Sequence, residues 1–156
     1  MRTIHQERIE NFMRLAGQVI LTRPTIPTID VRLLRAKLIL EEAFETVEAL
    51  GVRVYHELID DDVGMGYGDL VFAANKKPNL IEIADGCADV SVVTIGTLSA
   101  CGIEDVILLE EVDESNLRKF GPGSYMREDG KWMKPPDWKP PNIQEVFDTQ
   151  IPEDRF

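Results

Sequence analysis

A chain of 156 residues is long enough to bury a hydrophobic core and short enough to be read as one domain over residues 1–156. Its 28 Asp and Glu against 17 Lys and Arg would repel the phosphates of DNA or RNA, which disfavours a nucleic-acid polymer as partner and suits carboxylates gathered around divalent cations. An apolar content of 44% excludes a disordered chain.

Residues 1–11 carry no basic stretch leading into an apolar core, so no secretory signal is read there. The first helix is expected over residues 4–16, with Ile4, Ile9, Phe12, Met13 and Leu15 spaced among charges. Pro24 and Pro27 break the chain, and Thr28 or Asp30 caps a second helix that runs to about Leu50, with Gly51 as its stop. Along that helix Leu34, Leu38, Glu41 and Glu45 share one face, and Glu42 stands beside them. Two carboxylates therefore sit where an apolar stripe should continue. Taken alone, this pattern is commonly a solvated acidic face.

Residues 52–79 read as a connection with a small hairpin. They hold an alternating run at 52–55, an acidic cluster at Asp60, Asp61 and Asp62, and Gly64, Gly66 and Gly68. A third helix is expected over residues 78–101. Its Val, Ile and Thr content would also suit a strand, but its length and the spacing of its acids favour a helix.

Glu82, Asp85 and Asp89 fall within one arc of that helix, which continues through Val92, Gly96 and Ser99 toward a face that should pack. Asp89 is the only charged residue between Gly86 and Ile103. Buried and ionised, it needs a cation. Ser91, Thr94, Thr97 and Ser99 interrupt the same stretch, so no membrane span is expected there. A soluble, cytoplasmic protein follows, with Cys87 and Cys101 as buried, reduced thiols too far apart along the helix to pair.

A fourth helix over residues 103–120 ends at Gly121, Pro122 and Gly123. Val112, Asn116 and Lys119 lie on one stripe of it, where Asn116 serves either as a cap or as a ligand contact. The tail, residues 124–156, holds Pro135, Pro136, Pro140, Pro141 and Pro152 with Trp132, Met133 and Trp138 between them. It reads as an extended arm laid across the helices or a partner subunit.

Two readings of the acids remain at this point. Arg32, Arg35, Lys37, Arg118 and Lys119 supply cations for a structural ion-pair network. Alternatively, oxygen-only ligands select magnesium or manganese, as one or two ions. His5 and His56 lie outside the clusters, which argues against a di-iron or zinc site. Carboxylate-held metal suits cleavage of a phosphoanhydride, with a spare carboxylate accepting the proton of water.

The runs RPTIPTIDVRLLR, LILEEAFETVEA and ADVSVVTIGT, followed by EEVDESNLRKFGPG and REDGKWMKPPDWKPPNI, resemble the motifs of the MazG-like nucleotide pyrophosphohydrolases. That all-α group includes dimeric dUTPases and phosphoribosyl-ATP pyrophosphohydrolase. The resemblance implies an all-α bundle of four to five helices with an extended Pro-rich C-terminal arm over 124–156, assembled as a homodimer or a dimer of dimers. It also implies Mg2+-dependent cleavage of a nucleotide to the monophosphate and pyrophosphate, with dUTP as first expectation.

By the same resemblance, Glu41 and Glu42 orient the attacking water, and Glu42, Glu45, Asp85 and Asp89 hold metal with Glu82 as an auxiliary. The family's Glu-x-x-Asp fits Glu82 and Asp85 by spacing. By position before the apolar run it fits Asp89, with Gly86 where the Glu should stand and Asp85 as its substitute. Asn116, Lys119 and Lys131 correspond to contacts with substrate phosphate or sugar. The alternatives are a phosphoribosyl-ATP pyrophosphohydrolase, a non-catalytic metal- or nucleotide-binding regulator, and a plain helical interaction protein.

Overall fold

The computed structural model describes residues 1–56 and 70–150. The acidic cluster at 60–62, the glycines at 64, 66 and 68, and Pro152 lie outside the described residues. Among the described residues five α-helices dominate: α1 (Ile4–Leu15), α2 (Ile29–Ala49), α3 (Leu80–Ala100), α4 (Asp105–Leu117) and α5 (Ile143–Gln150). Two small antiparallel sheets accompany them, β1 (Val52–His56) with β2 (Leu70–Ala74) and β3 (Tyr125–Met126) with β4 (Trp132–Met133). The chain is thus mostly helical, with only small two-stranded sheets beside the helices. Its described residues form two compact units, Thr28–Thr97 and Met1–Pro27 with the residues from Leu98 onward.

In the Thr28–Thr97 unit, Asp30 lies in the first turn of α2, where a negative charge favours the helix N-terminus. The helix closes through Gly51, whose N–H donates to Glu48 O at 2.9 Å with φ at +79°, a left-handed conformation that glycine adopts without a Cβ penalty. The carbonyl of Gly51 accepts from the N–H groups of both Asn75 and Lys76, and Asn79 N–H satisfies Ala49 O. These bonds tie the helix end to the far strand of the hairpin. Register runs from Val52 opposite Ala74 to His56 opposite Leu70.

Asn79 then starts α3, its Oδ1 accepting from Ile81 N–H at 3.1 Å. The β-branched run that could have suited a strand stays helical. Thr94 and Thr97 donate their hydroxyls back to Val90 O at 2.7 Å and Val93 O at 2.8 Å, which removes the competing polar demand within the helix. Val93 and Ile95 are buried. Cys87 is exposed and unpaired to any cysteine, which corrects the expectation that both thiols are buried; it neighbours Gly86 in sequence but projects to another side of the helix.

The other unit rests on a buried polar network. Gln6 is fully buried, and its amide donates to Ser99 Oγ at 3.0 Å and Ile103 O at 2.8 Å while accepting from Asp105 N–H at 2.9 Å. Ser99 in turn donates to Glu10, which pairs with Arg2 and Arg14. Asp105, 1% exposed, accepts from both the N–H and the hydroxyl of Thr3. A network of this kind holds only when each member is satisfied. Ile9 and Met13 supply the apolar part of the same α1 face, while Ile4, Phe12 and Leu15 are exposed.

The fourth helix stops at Leu117 and tightens into a 3₁₀ turn, Arg118–Phe120. Beyond it the tail is more than an extended arm. It contains the β3–β4 hairpin, closed around Glu128, Asp129 and Gly130, and then α5. Asn142 caps α5 reciprocally with Glu145, accepting from its N–H and donating to its carboxylate. Among the described residues no single helix is long and apolar enough to cross a membrane.

Candidate active site

Glu45, on α2, and Glu82, Asp85 and Asp89, on α3, line one pocket of about 250 Å³ with Glu48, Ala49 and Gly86. Two helices can bring their acids this close because Gly86 faces Thr46. A Cβ on Gly86 would stand 2.5 Å from Thr46 Oγ1 and 3.1 Å from Thr46 Cα. Thr46 turns its hydroxyl back to Glu42 O at 2.7 Å, so Gly86 is met by both the side chain and the Cα of Thr46. Asp89 is half-buried, whereas Glu45, Glu82 and Asp85 are exposed.

Alanine at 86 should therefore cost stability even though it favours helix. Its propensity gain of about 1 kcal/mol is outweighed by overpacking of roughly 1–3 kcal/mol. A net loss of up to about 2 kcal/mol is expected for G86A in urea denaturation; a raised midpoint would show that the helices part freely.

Glu41 is exposed and, like Glu42, does not line the pocket. Glu42 is nevertheless coupled to it. Desolvation, then the charges of Asp89, Glu45, Glu41 and Asp85, push its carboxyl above the ordinary value of 4.5. The folded chain thus holds this proton more tightly than the unfolded one. Stability falls as pH rises from 4.5 through the folded pKa, and the deficit is complete above it. Because Glu42 is partly exposed, the deficit is small. E42Q in EDTA should melt higher than wild type by about 1–2 °C at neutral pH. The difference should vanish below the unfolded pKa, and a gain independent of pH would contradict this electrostatic account.

One residue of the pocket was passed over in the sequence. Glu48 lies three positions after Glu45 and seven after Glu41, so helical spacing alone places it on that side. Lys76 pairs with it. The ion pairs among the described residues include none to Glu45, Glu82, Asp85 or Asp89, which weakens the structural ion-pair reading for those four. Their hard oxygen donors fit a divalent cation such as magnesium by chemistry. Among the described residues no three such side chains already converge on one point. The carboxylates would have to turn inward around an ion, as expected of like charges that repel when none is there.

The other predicted residues lie on α4 and beyond. Lys119 Nζ donates to Asn116 Oδ1 at 2.7 Å, so these two are brought together. Lys131 is exposed beside the hairpin turn, its N–H donating to Asp129 Oδ1 at 3.2 Å. No hydrogen bond among the described residues joins Lys131 to Asn116 or Lys119. Trp132 and Trp138 anchor the tail, donating from their indoles to Lys119 O at 2.8 Å and Ser115 O at 2.9 Å.

Compared with known families, the chain matches phosphoribosyl-ATP pyrophosphohydrolase over residues 9–116. The chain belongs to this family. The match begins in α1, includes both acidic helices, and ends at Asn116 on α4. No curated protein sequence matches the chain. Membership in the phosphoribosyl-ATP pyrophosphohydrolase family places the chain in the MazG-like superfamily and makes it a hydrolase of phosphoanhydride bonds. Lys119, Lys131 and the tail fall outside the matched stretch.

Proposed function

We propose that the chain is a magnesium-dependent pyrophosphohydrolase that cleaves a nucleotide between its α and β phosphates. The observation that carries this reading is the pocket lined by acids of α2 and α3, in which Glu45, Glu82, Asp85 and Asp89 have no ion pair among the described residues. Glu42, Glu45, Asp85 and Asp89 are assigned to hold the metal, magnesium or manganese, with Glu82 as an auxiliary. When bound, the metal supplies positive charge against the phosphate oxygens.

Glu41 and Glu42 are assigned to orient water. One of these carboxylates accepts its proton. The oxygen of water bonds to the α phosphorus, the bond from that phosphorus to the bridging oxygen breaks, and pyrophosphate leaves. The water proton passes to the carboxylate. Asn116, Lys119 and Lys131 are assigned to the substrate's phosphates and sugar.

The family match favours phosphoribosyl-ATP as substrate, and nucleoside triphosphates, dUTP first among them, present the same bond. Incubating the chain and magnesium with phosphoribosyl-ATP and a panel of ribo- and deoxynucleoside triphosphates, with products resolved by phosphorus NMR, decides between them. Monophosphate or phosphoribosyl-AMP with pyrophosphate is expected. Release of orthophosphate, or no product from any compound, would oppose the reading and leave a non-catalytic binding role.

A homodimer, or a pair of dimers, is part of the proposal. On α2 only Arg35 and Ala49 are buried, while Leu33, Leu40 and Phe44 are each about half exposed or more. Leu80 and Ile81 of α3 are exposed by 80% and 82%. Apolar faces of this extent suit the pairing of helices from two copies into one bundle.

A further inference from the structure

Trp138 does more than anchor the tail. The ammonium of Lys134 stands 3.7 Å from the centroid of its ring and that of Lys119 stands 5.7 Å from the same centroid. Neither ammonium has a carboxylate within ion-pair distance among the described residues, in a chain with a formal charge of -11. Arg118, adjacent to Lys119, is by contrast paired with Glu111 and Glu114. Two like charges drawn to one indole repel each other, and cation–π attraction to this half-buried ring offsets only part of that cost. An anion with several oxygens relieves it.

The donors are in place for one. Lys119 spends one N–H on Asn116 Oδ1 and keeps two, and Lys134 keeps three. Since a lysine can only donate, Asn116 must present its oxygen to Lys119, leaving its own amide N–H groups for a ligand. The indole that carries both ammoniums is itself fixed by the bond from Nε1 to Ser115 O at 2.9 Å. The ring to which both lysines are drawn is therefore held at a defined place.

We propose that Lys119 and Lys134, gathered on the indole of Trp138, form a two-ammonium clamp for the phosphate chain of the nucleotide, with Trp138 as the positioning residue. This rests on the proposed function and adds Lys134 and Trp138 to it.

The test is binding of inorganic pyrophosphate to the full chain in EDTA, where the acidic pocket holds no metal and repels the anion. W132F leaves Trp138 as the sole tryptophan, and its emission should change on titration. K134Q should weaken binding about tenfold or more, the expected loss of one charged hydrogen-bond donor, and K134R should restore most of it because guanidinium also binds phosphate and stacks on indole. W138F and W138L both lose the bond to Ser115, but only Phe keeps an aromatic face. W138F should bind pyrophosphate more tightly than W138L.

Absence of pyrophosphate binding by wild type would overturn the clamp, as would wild-type affinity in K134Q or a Trp138 emission blind to binding. The two readings separate cleanly. Normal turnover with unaffected binding in K134Q would remove the clamp and leave the function. Tight, Lys134-dependent binding in a chain that hydrolyses no nucleotide would do the reverse.

Discussion

Replacing Asp89 with Asn should lower metal-dependent pyrophosphate release by about a thousandfold or more while leaving the fold intact, a barrier increase of roughly 4 kcal/mol. Asp89 is the half-buried acid of the pocket, and its charge is the largest single carboxylate influence on Glu42. The amide keeps the shape but removes the negative charge, so metal affinity and charge balance around the phosphates fall together. Glu42 also loses its strongest repulsive neighbour, and its pKa should drop toward the ordinary value. Apo stability should be unchanged or slightly raised, which separates this loss from misfolding. Circular dichroism and melting in EDTA check the fold, and magnesium-started pyrophosphate release checks the chemistry. Near-normal turnover in D89N would remove Asp89 from the metal site and return the assignment to Glu82 with Asp85.

Gly51→Ala is expected to have a large effect on stability, about 3 kcal/mol or more, lowering Tm by roughly 10 °C. Two independent costs act there. The φ of +79° places a Cβ against its own carbonyl, worth about 1–2 kcal/mol. The added carbon would also lie 2.4 Å from Lys76 O and 3.1 Å from Pro78 N, and backbone atoms cannot turn aside as a side chain does. Relief requires moving the segment that carries the Gly51 carbonyl bonds and the Lys76 partner of Glu48. Because Glu48 and Ala49 line the acidic pocket, G51A should also weaken magnesium-induced stabilisation. Differential scanning calorimetry with and without magnesium reads both effects. A melting point within two degrees of wild type would show that the turn relaxes at little cost.

These expectations show which parts of the chain local chemistry makes legible. Gly51 as a helix stop and the acids at 82, 85 and 89 as one arc follow from spacing and residue type, because both are properties of a single helix. The approach of Gly86 to Thr46 is not local. It joins residues 40 positions apart, and nothing in the letters around either one announces it. The glycine that seemed a departure from the acidic motif is where α3 meets α2.

The tail is less legible for a different reason. Its prolines dominate the pattern and suggest an extended arm, yet Asn142 with Glu145 three residues on is a capping signal, and Asp129-Gly130 is a hairpin signal. Both were present and both were outweighed. A lone acid in an apolar stretch suggests burial, whereas Asp89 faces a pocket and is half-exposed. The clamp residues could not have been paired from sequence, because Lys119, Lys134 and Trp138 meet only when the tail folds back on α4.

On the proposed function, the α2 and α3 carboxylates hold the metal on which cleavage depends. The most direct test of this starts from the full chain stripped in EDTA, with a hydrolysed nucleotide present, and follows pyrophosphate release as magnesium is titrated in. The account predicts no release above background at first, and then a saturable rise that D89N does not show. Release that persists undiminished in EDTA would contradict it.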